Sequence, residues 1–240
     1  MNSNSREEIL KRIRRGLHRL AIVRGTSENM SPSLSSYKET QQKLEKLHKE
    51  IIERKSFLVD MFVNEITKVS GKAFILKSEN EIKDYVIRLV EEHSAKSLAI
   101  WESDFLKQIN LSEFLENKGL KFASLNSKEE MAEADIGITE ADFGIADTGT
   151  LVLIANEKQP RSVSLIPPIH VAILQSDVIL EKMEDVFVIF KNSLDETGSI
   201  AKLTSCITFI TGPSRTGDIE LNITLGVHGP KELVVLIYHT

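Results

Sequence analysis

Two glycine-punctuated stretches of the chain carry side chains able to do chemistry. In the first, Gly144-Ile145-Ala146-Asp147-Thr148-Gly149-Thr150-Leu151-Val152-Leu153, a polar tetrad interrupts two strongly apolar runs. Gly149 lets a ligand approach the backbone, Thr148 and Thr150 offer hydroxyls and amides to an anion, and Asp147 can bind a hydroxyl or move a proton. The same Asp-Thr-Gly-Thr string is equally a tight β-turn with no ligand. Spacing alone leaves both readings open.

The second stretch, Thr211-Gly212-Pro213-Ser214-Arg215-Thr216-Gly217-Asp218-Ile219-Glu220, follows an apolar run. Its glycine spacing imitates a phosphate loop, but Asp218 and Ile219 stand where such a loop needs Lys and Ser/Thr, which excludes ordinary P-loop chemistry. Gly212-Pro213-Ser214-Arg215-Thr216 also falls one glycine short of a nucleophile elbow, so Ser214 reads as a hydrogen-bonding residue for a ligand or for the turn. On extended backbone Asp218 and Glu220 project to one side as a possible acid/base pair. Arg215 either balances their charge or clamps a carboxylate or phosphate with its planar fork. Gly212 and Thr216 complete this candidate ligand loop. His170 in Pro167-Pro168-Ile169-His170 and His228 in Gly226-Val227-His228-Gly229 are candidates for proton transfer or ligand binding, against the plainer alternative of structural histidines. His18, His48, His93 and His239 show no ligand spacing and no His/Cys metal motif occurs, so no metal site is expected.

Three kinds of element must position these residues. Residues 1–36 read as a basic amphipathic helix and a linker: Ser5 and Glu8 have capping-box spacing, and Ile9, Leu10, Ile13, Leu17 and Leu20 recur at helical intervals. Residues 37–70 lack Gly and Pro and predict one long helix or two, burying Leu44, Leu47, Ile51, Leu58, Met61, Phe62 and Val69, with Gly71 as the stop. Residues 71–240 alternate short β-rich runs with helical patterns, the rhythm of a mostly parallel sheet with crossover helices. Within that part, Ser78 with Glu81 and Ser127 with Glu130 mark helix starts, and Trp101 reads as a core or strand-end residue. Eight of the 12 glycines and five of the six prolines lie at or beyond Asp135, so specialised backbone concentrates there, and Gly229-Pro230 predicts a hairpin joining Cys206–Ile210 to Glu232–Tyr238.

The totals bound the function. With 41% hydrophobic and 27% charged residues the chain is neither disordered nor membrane-embedded in composition, and a net charge of -5 gives no whole-chain attraction for nucleic acid. Cys206, the single cysteine, excludes an internal disulfide and an iron–sulfur cluster held by this chain. That usage, with a polar N-terminus, predicts a cytoplasmic protein with no membrane span.

At these same segments the sequence resembles the LUD-domain family, lactate-utilization protein C type. The carriers are Gly137-Ile138-Thr139 with Ala141-Asp142-Phe143, the Ala146-to-Leu151 block, Ser164-Leu165-Ile166-Pro167-Pro168-Ile169-His170, the Gly212-to-Glu220 loop and Leu225-Gly226-Val227-His228-Gly229-Pro230. The resemblance implies an α/β fold of the NagB/RpiA/CoA-transferase-like group. It further implies a component of a system oxidising L-lactate to pyruvate, binding a small anionic metabolite and acting with iron–sulfur and cysteine-rich partner proteins. Asp147 stands where the family more usually has Glu, Glu140 where Gly is common, and Gly217 where Ala is usual. Two alternatives remain: a stand-alone isomerase or acyl/CoA transferase using Asp147, Asp218 or Glu220, and a non-catalytic assembly or regulatory adaptor docking through the basic N-terminal segment.

Overall fold

The computed structural model describes residues 34–197, 206–217 and 223–239. The amphipathic stretch read over residues 5–20, and the Asp218/Glu220 pair, lie outside the described residues.

The stretch read as one long helix or two forms a single helix. α1 spans Leu34–Lys68 without a break, 35 residues, or about 52 Å at the usual rise. Leu44, Leu47, Ile51, Leu58, Phe62 and Ile66 recur on one face and are buried. Each such side chain contributes roughly 1.5–3 kcal/mol, whereas an exposed i,i+4 pair such as Lys43–Glu39, at 3.8 Å, contributes about 0.3–0.5 kcal/mol. Packing therefore holds this helix in place. Its end differs from expectation by one residue: Ser70 takes the left-handed turn at φ 67°, and Gly71 supplies the N–H that closes on the Ile66 carbonyl at 2.9 Å.

The βαβ rhythm gives β1 (Lys72–Leu76), α2 (Glu79–Glu92), β2 (Ser97–Ile100), α3 (Asp104–Gln108), α4 (Leu111–Glu116), β3 (Lys121–Phe122), α5 (Lys128–Ala132) and β4 (Ile136–Glu140). Local chemistry starts the helices as read: Ser78 Oγ accepts from the Glu81 N–H at 3.2 Å, while the Glu81 carboxylate accepts from the Lys77 N–H at 2.8 Å. Ser127 repeats the device with Glu130. Trp101 is buried and donates from Nε1 to the Pro160 carbonyl at 2.9 Å.

With β7 (Ile169–Gln175) and β12 (Glu232–Tyr238), these strands build a six-stranded sheet of order β1-β12-β7-β4-β2-β3, in which every neighbouring pair is parallel. Every position of β4 is buried, as are residues 233–237 of β12. Such continuously buried strands are what a parallel sheet covered on both faces requires.

A second, four-stranded sheet has the order β8-β5-β6-β9, with β5 at Phe143–Ile145, β6 at Thr150–Ala155, β8 at Ile179–Leu180 and β9 at Cys206–Ile210. Two more helices, α6 (Ser162–Leu165) and α7 (Met183–Thr197), flank the sheets. The predicted hairpin at Gly229-Pro230 is not formed. The strand before that turn is β11 (Ile223–Leu225), which pairs antiparallel with β10 (Arg215–Gly217), while Glu232–Tyr238 runs parallel between β1 and β7. Parallel partners need a crossover rather than a tight turn, and the Gly-Pro step lies at the end of the long connection from β7, leading into β12.

Candidate functional site

The first glycine stretch is the turn of a hairpin. β5 and β6 pair antiparallel with Ile145 opposite Thr150, so residues 146–149 form the connection. Gly149 has φ +60°, and a Cβ there would fall 2.3 Å from the backbone nitrogen of Ile66. The close approach that this glycine permits is thus to the backbone of α1. Thr148 is exposed and Asp147 half-buried. The Asp147 N–H donates to the Glu181 carbonyl at 3.1 Å, and its Oδ1 is buried without a partner among the described residues.

The second stretch leaves β9 and reaches the first through hydroxyls. Thr148 Oγ1 lies 2.8 Å from Thr150 Oγ1, which lies 2.6 Å from Thr211 Oγ1. From Thr211 the chain turns through Gly212 to Ser214, whose N–H donates to the Pro230 carbonyl at 2.9 Å and whose carbonyl accepts from Gly226 at 3.0 Å. Arg215 heads the other way. Its Nη2 donates to the Val69 carbonyl at 2.5 Å and to Ser70 Oγ at 2.6 Å, at the end of α1. The Thr216 backbone lies in β10 opposite Thr224.

Between the second stretch, the α6 end and the Gly229-Pro230 turn lies a cleft of about 210 Å³. Its floor is His170 with Leu233, register partners in β7 and β12. Gly212, Ser214 and His228 line it too, so four of the residues singled out in the sequence converge. Thr148, Gly149, Thr150, Asp147, Arg215 and Thr216 are not among its lining residues; the first stretch reaches it only through the Thr150–Thr211 contact. Sequence reasoning passed over Ser164, Thr211 and Leu233 as site residues, although Ser164 opens the same motif that ends at His170.

The position of the cleft is unusual for an open α/β sheet, whose ligands ordinarily sit at the carboxyl ends of the strands. His170 and Leu233 are each the second residue of their strand, so this cleft opens at the amino ends. At the carboxyl ends of β4 and β7, Glu140 instead accepts from Gln175 Nε2 at 3.0 Å, a partner on the next strand.

Among the described residues no lysine, arginine or carboxylate lines the cleft. His170 is 1% exposed, and burial pushes its pKa down to about 3, keeping the imidazole neutral. Its Nε2 lies 2.9 Å from Thr139 Oγ1, while Nδ1 is buried without a partner among the described residues. An orphaned polar atom of this kind costs about 1–3 kcal/mol. Ser164 Oγ donates to the Arg161 carbonyl at 3.0 Å, leaving that oxygen free only to accept. Leu165, Phe209 and Val227 give the surroundings an exposed apolar rim, the last of them next to His228. Among the described residues no group of three or more His, Cys, Asp or Glu is placed to hold a metal ion, and no helix is long and apolar enough to cross a membrane.

A parallel sheet with a small cleft at the amino ends of its central strands defines an α/β domain with a candidate site built largely from loops. The chain belongs to the LUD-domain family, whose model matches residues 59–238. The lactate utilization protein C of Halalkalibacterium halodurans is 33% identical over 177 residues, spanning 72% of this chain and 75% of that protein. The Bacillus subtilis protein of the same name is 28% identical over 195 residues, 80% of this chain and 73% of its own length. A crystal structure of a DUF162 family protein from Deinococcus radiodurans shares the fold with a TM-score of 0.56 at 19% identity, covering 77% of this chain and 98% of that one.

Proposed function

We propose that this chain is a C-type component of a system oxidising L-lactate to pyruvate, in which it holds a small carboxylate-bearing ligand and leaves electron transfer to iron–sulfur partners. One observation carries the ligand part: Gly212 and Ser214 from one loop, His228 from a second and His170 from the start of a strand converge on one cleft. Its size is below the roughly 300–1,000 Å³ usual for larger ligands and suits a small organic acid. With no lysine or arginine among the described residues of its walls, the cleft would receive a carboxylate through hydroxyl, imidazole and amide donors. Arg215 follows Ser214 directly and keeps Nη1 and Nε without a partner among the described residues, although its Nη2 holds the guanidinium at the end of α1 and the residue does not line the cleft. The relatives' shared name supports the pathway. Lactate oxidation releases an electron pair, and one cysteine cannot hold a cluster to receive it. The apolar rim of Leu165, Phe209 and Val227 suits a site completed by a partner protein.

The test has two arms. Titration of the purified protein with L-lactate and pyruvate is expected to shift the resonances of Ser214 and His228, and Ser214→Ala is expected to weaken that binding. A strain carrying Ser214→Ala is expected to grow poorly on lactate, while the tagged protein co-purifies with iron–sulfur proteins. Normal lactate growth of a deletion strain would overturn the reading.

A further inference from the structure

His170 and Thr139 form a closed pair inside the domain. Thr139 is fully buried in β4, and among the described residues its hydroxyl has one partner, His170 Nε2 at 2.9 Å. The imidazole in turn has Thr139 at one nitrogen, and nothing among the described residues at the other. Counting donors separates the two neutral tautomers.

If Nε2 carries the proton, it donates to Thr139 Oγ1, and the threonine hydroxyl is left with a buried hydrogen that has no acceptor. No ligand in the cleft can repair this, because Thr139 does not line it. If Nδ1 carries the proton, the Thr139 hydroxyl donates to Nε2, and the one unsatisfied donor is the Nδ1–H of His170, a buried nitrogen in a residue that itself forms part of the cleft floor. Only the second arrangement becomes fully satisfied when something binds, since a buried donor without an acceptor is the costlier defect. We infer that Thr139 fixes His170 as the Nδ1-protonated neutral tautomer, and that this N–H donates to a carbonyl or carboxylate oxygen of the ligand.

This rests on the ligand-binding reading above and narrows it. The cleft selects small acids that present an oxygen acceptor to its floor, 2-oxo acids such as pyruvate before compounds offering only a donor there. Nearby polar groups agree: Ser214 Oγ has no partner among the described residues and is free to donate, while Leu233 and Phe209 face any remaining alkyl group. A neutral imidazole that donates is also an effective means of polarising a carbonyl. Thr139 is then a positioning residue, acting through His170.

Long-range proton–nitrogen correlation spectra of the full chain, labelled at histidine nitrogen, test the assignment with sodium pyruvate as probe and acetate and L-lactate as comparisons. The free protein is expected to show His170 protonated on Nδ1, and pyruvate to move that proton downfield as the new hydrogen bond forms. Thr139→Val removes the hydroxyl while filling its space and is expected to weaken pyruvate binding about tenfold with the tautomer no longer fixed; Thr139→Ser is expected to restore both. An Nε2-protonated His170 in the wild-type protein would overturn the inference. So would pyruvate-induced changes at Ser214 and His228 with none at His170, an outcome that leaves the cleft as a binding site. Silence of all three residues toward every acid would overturn this inference and the proposed function together.

Discussion

Arg215 closes the end of α1 by donating from Nη2 to the carbonyl of Val69 at 2.5 Å, across 146 positions of sequence. Helix ends leave carbonyls without intrahelical partners, and a cation there also meets the negative end of the helix dipole. The side chain is exposed, so its stabilising effect is modest, about 0.5–1.5 kcal/mol. Arg215→Ala is expected to lower the melting temperature by about 2–4 °C, measured by thermal unfolding. Should pyruvate binding fall as well, the free Nη1 and Nε belong to the ligand; should only stability change, the guanidinium is a tether.

His170 makes stability depend on pH in a definite direction. Burial holds its pKa near 3, against 6.5 for an ordinary histidine. Below pH 6.5 the unfolded chain takes up a proton that the folded chain refuses. The stabilising effect is complete above about 6.5 and is lost progressively as pH falls toward about 3, at no more than about 1.4 kcal/mol per pH unit. Denaturant unfolding of His170→Asn is expected to show a shallower loss over this window than the wild type, with any residual slope coming from carboxylates. Equal slopes would mean that the imidazole is solvated in the folded state.

Which features were legible follows from how far apart the interacting residues are. Ser78 with Glu81 and Ser127 with Glu130 declare their helices because the whole capping interaction lies within a few residues. The alternation of short β-rich runs with helical patterns likewise announces a mostly parallel sheet. Gly149 was undecidable locally, since the atom that requires it belongs to Ile66 in another element. His170, Gly212, Ser214 and His228 were each legible as candidates from their residue types, but their meeting in one cleft was not, since it depends on loops distant in sequence. Nor was the absence of Arg215 from the cleft wall, which depends on that side chain turning toward α1. The hairpin at Gly229-Pro230 failed for a related reason: a turn motif fixes the local chain direction, whereas strand partners are set by the sheet.

Gly149 and Gly119 separate backbone strain from steric exclusion. Both have positive φ, at 60° and 83°, but a Cβ on Gly119 would meet nothing within 4 Å, whereas one on Gly149 would strike the α1 backbone. Gly119→Ala is expected to cost about 1 kcal/mol from conformation alone. Gly149→Ala must also displace α1, raising the loss to about 2–4 kcal/mol. Comparable losses for the two in chemical denaturation would show that α1 moves away freely.

Gly137 connects the packing of the fold to the cleft itself. It pairs with His170 across β4 and β7, and a Cβ there would fall 1.9 Å from the Val163 carbonyl oxygen of α6. Backbone cannot yield that distance without shifting the whole short helix, which carries Ser164 and Leu165 into the cleft wall. Gly137→Ala is therefore expected to cost about 2–4 kcal/mol in stability, as overpacking at a rigid contact does. It should also weaken pyruvate binding at temperatures where the protein remains folded. Circular dichroism establishes the folded population, and the titration is then read on that population alone. Unchanged affinity in a folded Gly137→Ala protein would mean that α6 does not shape the binding surface, and would move the ligand contacts onto the Gly212–Ser214 and His228–Pro230 side of the cleft.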